Sequence, residues 1–460
     1  MKISNLRVWN FRSIGSNEDE PGIDVPLKPL TIFVGPNASG KSSTLYSILW
    51  IKLKGPLTSS APSEEEKDVL KDVLGVNSYE DLASGRNLEK WIGVELTFDI
   101  SSMDKKLKSL FETINWSVCG INKPKLETLT HGFRIRKNEE GGFDYELRFK
   151  LDDLEFTYQN VYDPLNDMYV WSLKGYLEER GEGRSDYRPF GEPSISRRVS
   201  EYFRKLPEEL RKDVEGEIQK IDRFLESILR EVEEELKRKL IFIGAGRGVI
   251  KLVEKPAATT QNVGYRGEDT LKGLAYAYLN ADPDVKRELS SLVSSWAEKF
   301  GIHDLNAGLL EEELRAMYKD IATLDLALGS YGHRQLIAFL TQLIVAPRGS
   351  IIMIEEPEIS LHPENQVLLP LLFADIIKRH DKQVIVTTHS SVLTLAVSDA
   401  VSEYGLKAED VAIYHVTRDK NNFTKVEEVE LTEEGYPRHI PSFARVEAEL
   451  VDKMSERLLG

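Results

Sequence analysis

The chain holds a single cysteine, Cys119, among its 460 residues. That excludes a disulfide framework and a cysteine-based metal site. Long apolar runs are missing too. No stretch reaches the ~18 uninterrupted apolar residues that a membrane-spanning helix requires. The opening Met1-Lys2-Ile3-Ser4-Asn5 lacks the apolar run of a signal peptide. Positive charge is in deficit: 60 Lys and Arg face 76 Asp and Glu, for a net charge of −16. A protein that coats nucleic acid by bulk charge is thereby excluded, although a local basic groove is not, because net charge is silent on distribution. What is present is ample apolar material, 41% of residues beside 30% charged. Such a composition excludes disorder throughout. At roughly 150 residues per domain the length suggests about three structural units. A soluble, cytoplasmic protein without a membrane partner is expected.

Along the chain, Ile3, Leu6, Val8 and Phe11 to Ile14 read as strand-like, and Leu30-Thr31-Ile32-Phe33-Val34 is an apolar run that stops at Gly35. After Lys41 the apolar period becomes helical through Leu45, Ile48, Leu49 and Leu53. Residues 55–66 and 180–195 are polar and rich in loop formers, so both read as loops. Between them, residues 91–174 predict strands at 94–100, 132–136, 145–150, 154–158 and 168–173. From Pro207 to Leu240 apolar residues recur every three or four positions. That pattern fits an amphipathic helix lying on a core, or else a short coiled-coil arm. A strand at 240–243 is followed by helices near 268–280 and 284–300, and the last third alternates strand and helix, the pattern of a parallel α/β sheet. The tail predicts strands at 411–416 and 426–431 and a helix carrying Val446, Leu450 and Met454.

The most specific chemical signal is Gly35-Pro36-Asn37-Ala38-Ser39-Gly40-Lys41-Ser42, which matches the P-loop pattern. Its glycines let backbone N–H groups wrap phosphate oxygens at a helix N-terminus. Lys41 is placed to reach the β- and γ-phosphates of ATP, and Ser42 to hold Mg²⁺. Ile351-Ile352-Met353-Ile354 is a buried-strand run ending in Glu355-Glu356-Pro357. Glu355 is the candidate Mg²⁺ partner, and Glu356 the candidate base that activates the attacking water. A further strand, residues 384–388, ends in His389, a candidate γ-phosphate sensor. Leu328-Gly329-Ser330-Tyr331-Gly332 opens a helix, with Ser330 as its cap and Gly332 permitting close backbone approach. This would be a second phosphate cradle. Two cradles that lie apart in one chain cannot grip one nucleotide, so two chains sharing each ATP is the economical arrangement.

Taken together, these motifs resemble the ABC-type, SMC-like P-loop ATPases, and more narrowly the RecF/OLD-like AAA ATPases. The resemblance rests on Asn10-Phe11-Arg12-Ser13-Ile14 ahead of the P-loop, on the P-loop itself, and on Ser330-Tyr331-Gly332 at the signature position. It rests also on Glu355-Glu356-Pro357-Glu358 followed by Leu361-His362-Pro363, on His389 as the switch histidine, and on the Ile243-Gly244 turn with Arg247. It implies an α/β P-loop NTPase of the ABC ATPase head type, split by a β-rich and helical insertion. The implied parts are an N-terminal ATPase lobe over 1–100, the insertion over 101–239, a C-terminal ATPase lobe over 240–395 and a closing subdomain over 396–460. It adds Arg12 and Ser43 to the nucleotide-binding set Gly35–Ser42, Ser330 and Gly332. It implies ATP hydrolysis, a homodimer formed on ATP, and a role in DNA repair or DNA handling with duplex DNA as partner. The alternative is the sensor subunit of an antiphage or toxin–antitoxin-like system acting through a separate nuclease or effector. The signature departs from Leu-Ser-Gly-Gly-Gln, which disfavours a transporter subunit. The basic pairs Arg197-Arg198, Arg204-Lys205 and Arg211-Lys212 are the candidate DNA strip, although a solvated helix face explains them as well.

Overall fold

A computed structural model describes the chain apart from residues 17–19, 55–70, 76–78, 103, 120–121, 139–142, 164–167, 175–178, 184–207, 256–258, 281 and 441–460. Its first elements are β1 (Lys2–Trp9), β2 (Ile23–Pro26), β3 (Leu30–Val34), α1 (Lys41–Lys54), β4 (Ile92–Asp99) and α2 (Lys105–Glu112). Then come β5 (Thr128–Lys137), β6 (Phe143–Leu151), β7 (Leu154–Asp163), β8 (Met168–Lys174), β9 (Glu179–Gly183), α3 (Glu208–Lys239) and β10 (Leu240–Ile243). Helices α4 (Thr270–Tyr278) and α5 (Pro283–Lys299) precede β11 (His303–Leu310), β12 (Glu313–Lys319) and β13 (Thr323–Asp325). The chain continues through α6 (Tyr331–Val345), β14 (Ile351–Glu355), α7 (Pro363–His380) and β15 (Gln383–Thr388). It proceeds to α8 (Ser391–Leu395), α9 (Val397–Tyr404), β16 (Val411–Arg418) and β17 (Thr424–Glu428). Two compact units result. One comprises Met1–Leu27, Tyr46–Arg238 and Asp419–Lys425, the other Lys28–Leu45, Lys239–Arg418 and Val426–Gly460.

In the first unit an eight-stranded sheet runs in the order β2-β1-β4-β5-β6-β7-β8-β9. The hairpin-connected strands pair antiparallel, as short connections between neighbours dictate. Residues 180–195 are expected to form a loop, yet Glu179–Gly183 is a strand paired with Tyr169–Leu173. Those residues carry no apolar pattern. Backbone N–H and C=O groups can pair along a strand whatever the side chains, so the pairing forms without an apolar pattern in the sequence. Helix α3 is a core helix. Ile221, Phe224, Leu225, Ile228, Val232 and Leu236 are all buried, and the Phe224 ring lies 5.2 Å from Phe111 and 6.3 Å from Trp116. That seam is filled from within the unit, so a free coiled-coil arm is not the form it takes. The 55–66 loop, Arg197-Arg198, Arg204-Lys205 and the 446–454 helix lie outside the described residues.

The second unit is built on a six-stranded sheet, β10-β14-β15-β3-β16-β17. Its β10, β14, β15, β3 and β16 pair parallel. Every residue of β3, β14 and β15 is buried. This is why these strands read as continuous apolar runs, as strands covered on both faces do. Helices α6 and α7 supply much of the cover through Leu336, Phe339, Leu340 and Leu343 and through Leu369, Leu372, Phe373 and Ile376. A small antiparallel sheet, β11-β12-β13, forms where the sequence pattern predicts no strands. Its middle strand alternates cleanly, with Leu314, Ala316 and Tyr318 buried between more exposed neighbours, whereas His303–Leu310 buries only Leu305 and Ala307.

Candidate functional site

The parallel register decides where the chemistry gathers. Glu355 at the end of β14 is level with Thr387, and Thr388 at the end of β15 is level with Val34 at the end of β3. The residues that follow, Glu356, His389 and Gly35, therefore emerge at one edge of the sheet. Crevices outside the carboxyl ends of parallel strands are where such folds bind ligands. Because β15 lies between β14 and β3, His389 lies between the acidic pair and the phosphate loop.

The phosphate loop is shaped by its neighbours. A Cβ at Gly35 would lie 2.1 Å from the Val416 carbonyl of β16, so close packing against that strand demands glycine. Gly40 has φ 110°, a conformation for which side-chain-bearing residues are unsuited. Ala38 has φ 57° although it is not glycine, and its carbonyl accepts from Arg418 Nε at 2.7 Å. Pro36, Asn37 and Ala38 are exposed, whereas Ser39, Gly40 and Lys41 are buried. Ser42 and Ser43 are half-buried in the first turn of α1.

Lys41, only 5% exposed, donates from Nζ to the Gly35 carbonyl at 3.0 Å and the Pro36 carbonyl at 2.9 Å. Burial lowers its pKa to about 8, against the charges of Glu356 and Glu358, which raise it. Lys41 Nζ also lies 3.4 Å from His389 Nδ1, and His389 Nε2 lies 3.3 Å from Glu356 Oε1. An ammonium can only donate, so the network assigns Nδ1 as acceptor and places the ring proton on Nε2, facing Glu356. Glu358 accepts the His389 backbone N–H at 2.7 Å through Oε1, while its Oε2 is buried with no hydrogen-bond partner among the described residues. Lys41, His389 and Glu356 thus form one continuous chain of contacts, and Glu358 fixes its middle member.

Behind the acids lies Arg247, with none of its surface exposed. Its Nη1 donates to the Glu355 carbonyl at 2.8 Å, and its Nη2 to the Glu356 carbonyl at 3.0 Å. Burial lowers its pKa to about 10, against the carboxylates of Glu358, Glu355 and Glu356. Its guanidinium carbon lies 5.3 Å from the centre of the Phe339 ring on α6. Ser330 caps α6, its Oγ accepting the His333 N–H at 3.2 Å. A Cβ at Gly332 would approach the Ser360 carbonyl to 3.0 Å. Ser330 is exposed, as are Leu328 and Tyr331 beside it.

Gly35–Ser42, Glu355, Glu356, His389, Ser330 and Gly332 all belong to the second unit. Arg12 belongs to the first, with φ 55°, its N–H bonded to the Leu82 carbonyl at 2.6 Å and its guanidinium 5.2 Å from the centre of the Tyr46 ring. Glu358, Arg247 and Arg418 also shape the site, and no motif in the sequence assigns them a role there. Glu358 stands two positions beyond Glu356 and its acidity was legible. Arg247 entered only through family likeness. Arg418 acts on a loop 380 residues away in sequence, which no local pattern records. For a hard divalent cation, Ser42, the buried Glu355 and the unpartnered Glu358 oxygen supply only oxygen donors, which fits Mg²⁺.

Parallel strands that end together on a phosphate loop, an acidic pair and a histidine define the class: an α/β P-loop nucleoside triphosphatase. The chain belongs to the AAA ATPase domain family, whose model matches residues 1–394, and it is accordingly an ATPase. No curated protein matches the sequence. Among solved structures it is similar to an SMC head bound to the C-terminal winged-helix domain of ScpA, at 14% identity over 94% of this chain and 98% of that one, with a TM-score of 0.44. It is similar also to the SMC head domain from Thermotoga maritima, at 14% identity over 94% and 100%, with a TM-score of 0.40. A third is an SMC head with an extended coiled coil bound to the C-terminal domain of ScpA, derived from Pyrococcus furiosus, at 14% identity over 100% and 99%, with a TM-score of 0.44. Among the described residues no helix is long and apolar enough to cross a membrane.

Proposed function

We propose that this ATPase is a nucleotide-driven switch of the RecF/OLD-like kind, in which two chains close on ATP and hydrolysis reopens them. The observation that carries the reading is the Lys41–His389–Glu356 chain of contacts at the strand ends. The triphosphate enters along the phosphate loop, and Lys41 exchanges the Gly35 and Pro36 carbonyls for phosphate oxygens. Ser42 and Glu355 would hold Mg²⁺, which supplies neutralising charge to the phosphates. Glu356 accepts the proton of the attacking water as its oxygen bonds to the γ-phosphorus, and the bond to the β–γ bridging oxygen breaks. His389 donates its Nε2 proton in hydrogen bonding to the charge that develops. ADP and phosphate are released. Ser330, exposed at the start of α6, is available to the γ-phosphate held by a second copy.

Family resemblance extends the reading to duplex DNA as what the closed dimer grips. The test is ATP turnover with and without linear duplex DNA, beside the mass of the Glu356→Gln protein in ATP. Turnover stimulated by DNA and lost in Glu356→Gln, together with a long-lived ATP-bound dimer of that variant, is the expected result. A monomeric ATP-bound Glu356→Gln protein refutes the dimer, and turnover indifferent to DNA redirects the search to a separate effector protein.

A further inference from the structure

We infer that Arg247 is a positioning residue for Glu356, acting through the backbone of the acidic pair rather than on the nucleotide. The inference rests on the reading of Glu356 as the catalytic base. Glu356 has φ 44°, a left-handed conformation that a non-glycine residue keeps only where its surroundings hold it. Both of its backbone polar groups are held. Its N–H donates to the Thr387 carbonyl at 2.8 Å, and its carbonyl accepts from Ile359 N at 3.1 Å and from Arg247 Nη2 at 3.0 Å. Arg247 Nη1 takes the preceding carbonyl, of Glu355, at 2.8 Å, and reaches the Gly244 carbonyl at 3.3 Å. Consecutive carbonyls gripped by the two arms of one planar guanidinium fix the peptide plane between them. That plane sets the direction in which the Glu356 side chain leaves the backbone, toward His389 Nε2 at 3.3 Å.

The guanidinium is itself immobilised. It is fully buried and lies against Phe339, while the neighbouring Ala245 carbonyl accepts from Gln335 Nε2 of α6 at 3.3 Å. A lysine cannot reproduce this fork, because it offers a single nitrogen on a flexible stem. Burying an arginine for packing alone would be a poor solution, since its charge must be taken out of water. Here that charge is placed beside three carboxylates, those of Glu355, Glu356 and Glu358.

The test is a double-mutant cycle on the full chain. Arg247→Met and Arg247→Lys are each made in the wild type and in Glu356→Gln, and single-turnover hydrolysis and ATP affinity are both measured. A misplacement of about 1 Å costs on the order of a hundredfold in rate. Arg247→Met is therefore expected to slow hydrolysis about a hundredfold, Arg247→Lys less, with ATP affinity changed by under about threefold. In Glu356→Gln neither change slows the residual rate by more than about threefold, because the residue being positioned is already gone. Equal losses in the two backgrounds, or an affinity loss as large as the rate loss, overturn the inference. Should Arg247→Met fail to fold in a thermal melt, Arg247→Lys carries the same cycle. If Glu356→Gln alone hydrolyses at the wild-type rate, the failure lies instead with Glu356 as base.

Discussion

Lys382 stands just ahead of β15, the strand that delivers His389, and no part of it is exposed. Its Nζ donates to the carbonyls of Leu343 at 2.7 Å and Ile344 at 3.0 Å, in the last turn of α6, where helical carbonyls lack intrahelical partners. Burial lowers its pKa to about 7, with Glu288 pulling the other way. A neutral amine has two N–H groups, which match these two carbonyls. The unfolded chain keeps an ordinary lysine near pH 10.4. Between about pH 7 and 10 the unfolded state thus holds a proton that the folded state does not, so stability rises with pH across that window and is lost as pH falls through about 7. At 1.36 kcal/mol per unit, this shift is worth on the order of 4 kcal/mol over the window. His380, whose own pKa burial lowers to about 4, stays neutral there and adds nothing. Lys382→Met is expected to flatten the dependence. It should also cost about 1–3 kcal/mol at high pH for each carbonyl left without a partner. Denaturant midpoints for both proteins, measured from pH 6.5 to 10, test this. Identical slopes for wild type and variant would refute the reasoning.

Two further predictions concern the site. Lys41 loses its proton near pH 8, so ATP affinity should weaken above that pH by up to about tenfold per unit, and the dependence should vanish in Lys41→Ala. A wild-type affinity that is flat from pH 7.5 to 9.5 contradicts this. Glu358→Gln removes one of the charges that raise the Lys41 pKa, so the midpoint of that affinity profile should move to lower pH. Turnover should fall with it, as the charge-assisted bond to the His389 N–H is weakened; an unmoved midpoint counts against the coupling.

The local chemistry of this protein was legible in its sequence. A phosphate loop is contiguous, so Gly35 through Ser42 announce themselves. Strands buried on both faces must be apolar throughout, so Leu30–Val34 and Ile351–Ile354 stand out, and Ser330 is legible as a cap because capping is a matter of neighbouring residues. What lacks a local rule was not legible. In the three-stranded sheet between His303 and Asp325, the flanking strands His303–Leu310 and Thr323–Asp325 bury too little to stand out, although Glu313–Lys319 alternates through Leu314, Ala316 and Tyr318. Glu179–Gly183 pairs as a strand with no apolar pattern in its sequence.

The sequence by itself determined which groups are available for phosphate chemistry, because side-chain identity and short-range spacing are one-dimensional facts. Tertiary structure alone decided their arrangement. Strand order places β15 between β14 and β3, so His389 meets both Lys41 and Glu356. The same folding brings the Val416 carbonyl against Gly35, Arg418 onto Ala38 and Arg247 under Glu355 and Glu356. Contacts between residues more than a hundred positions apart depend on sheet order and register, and these follow from how the whole apolar surface is buried rather than from any single stretch of chain.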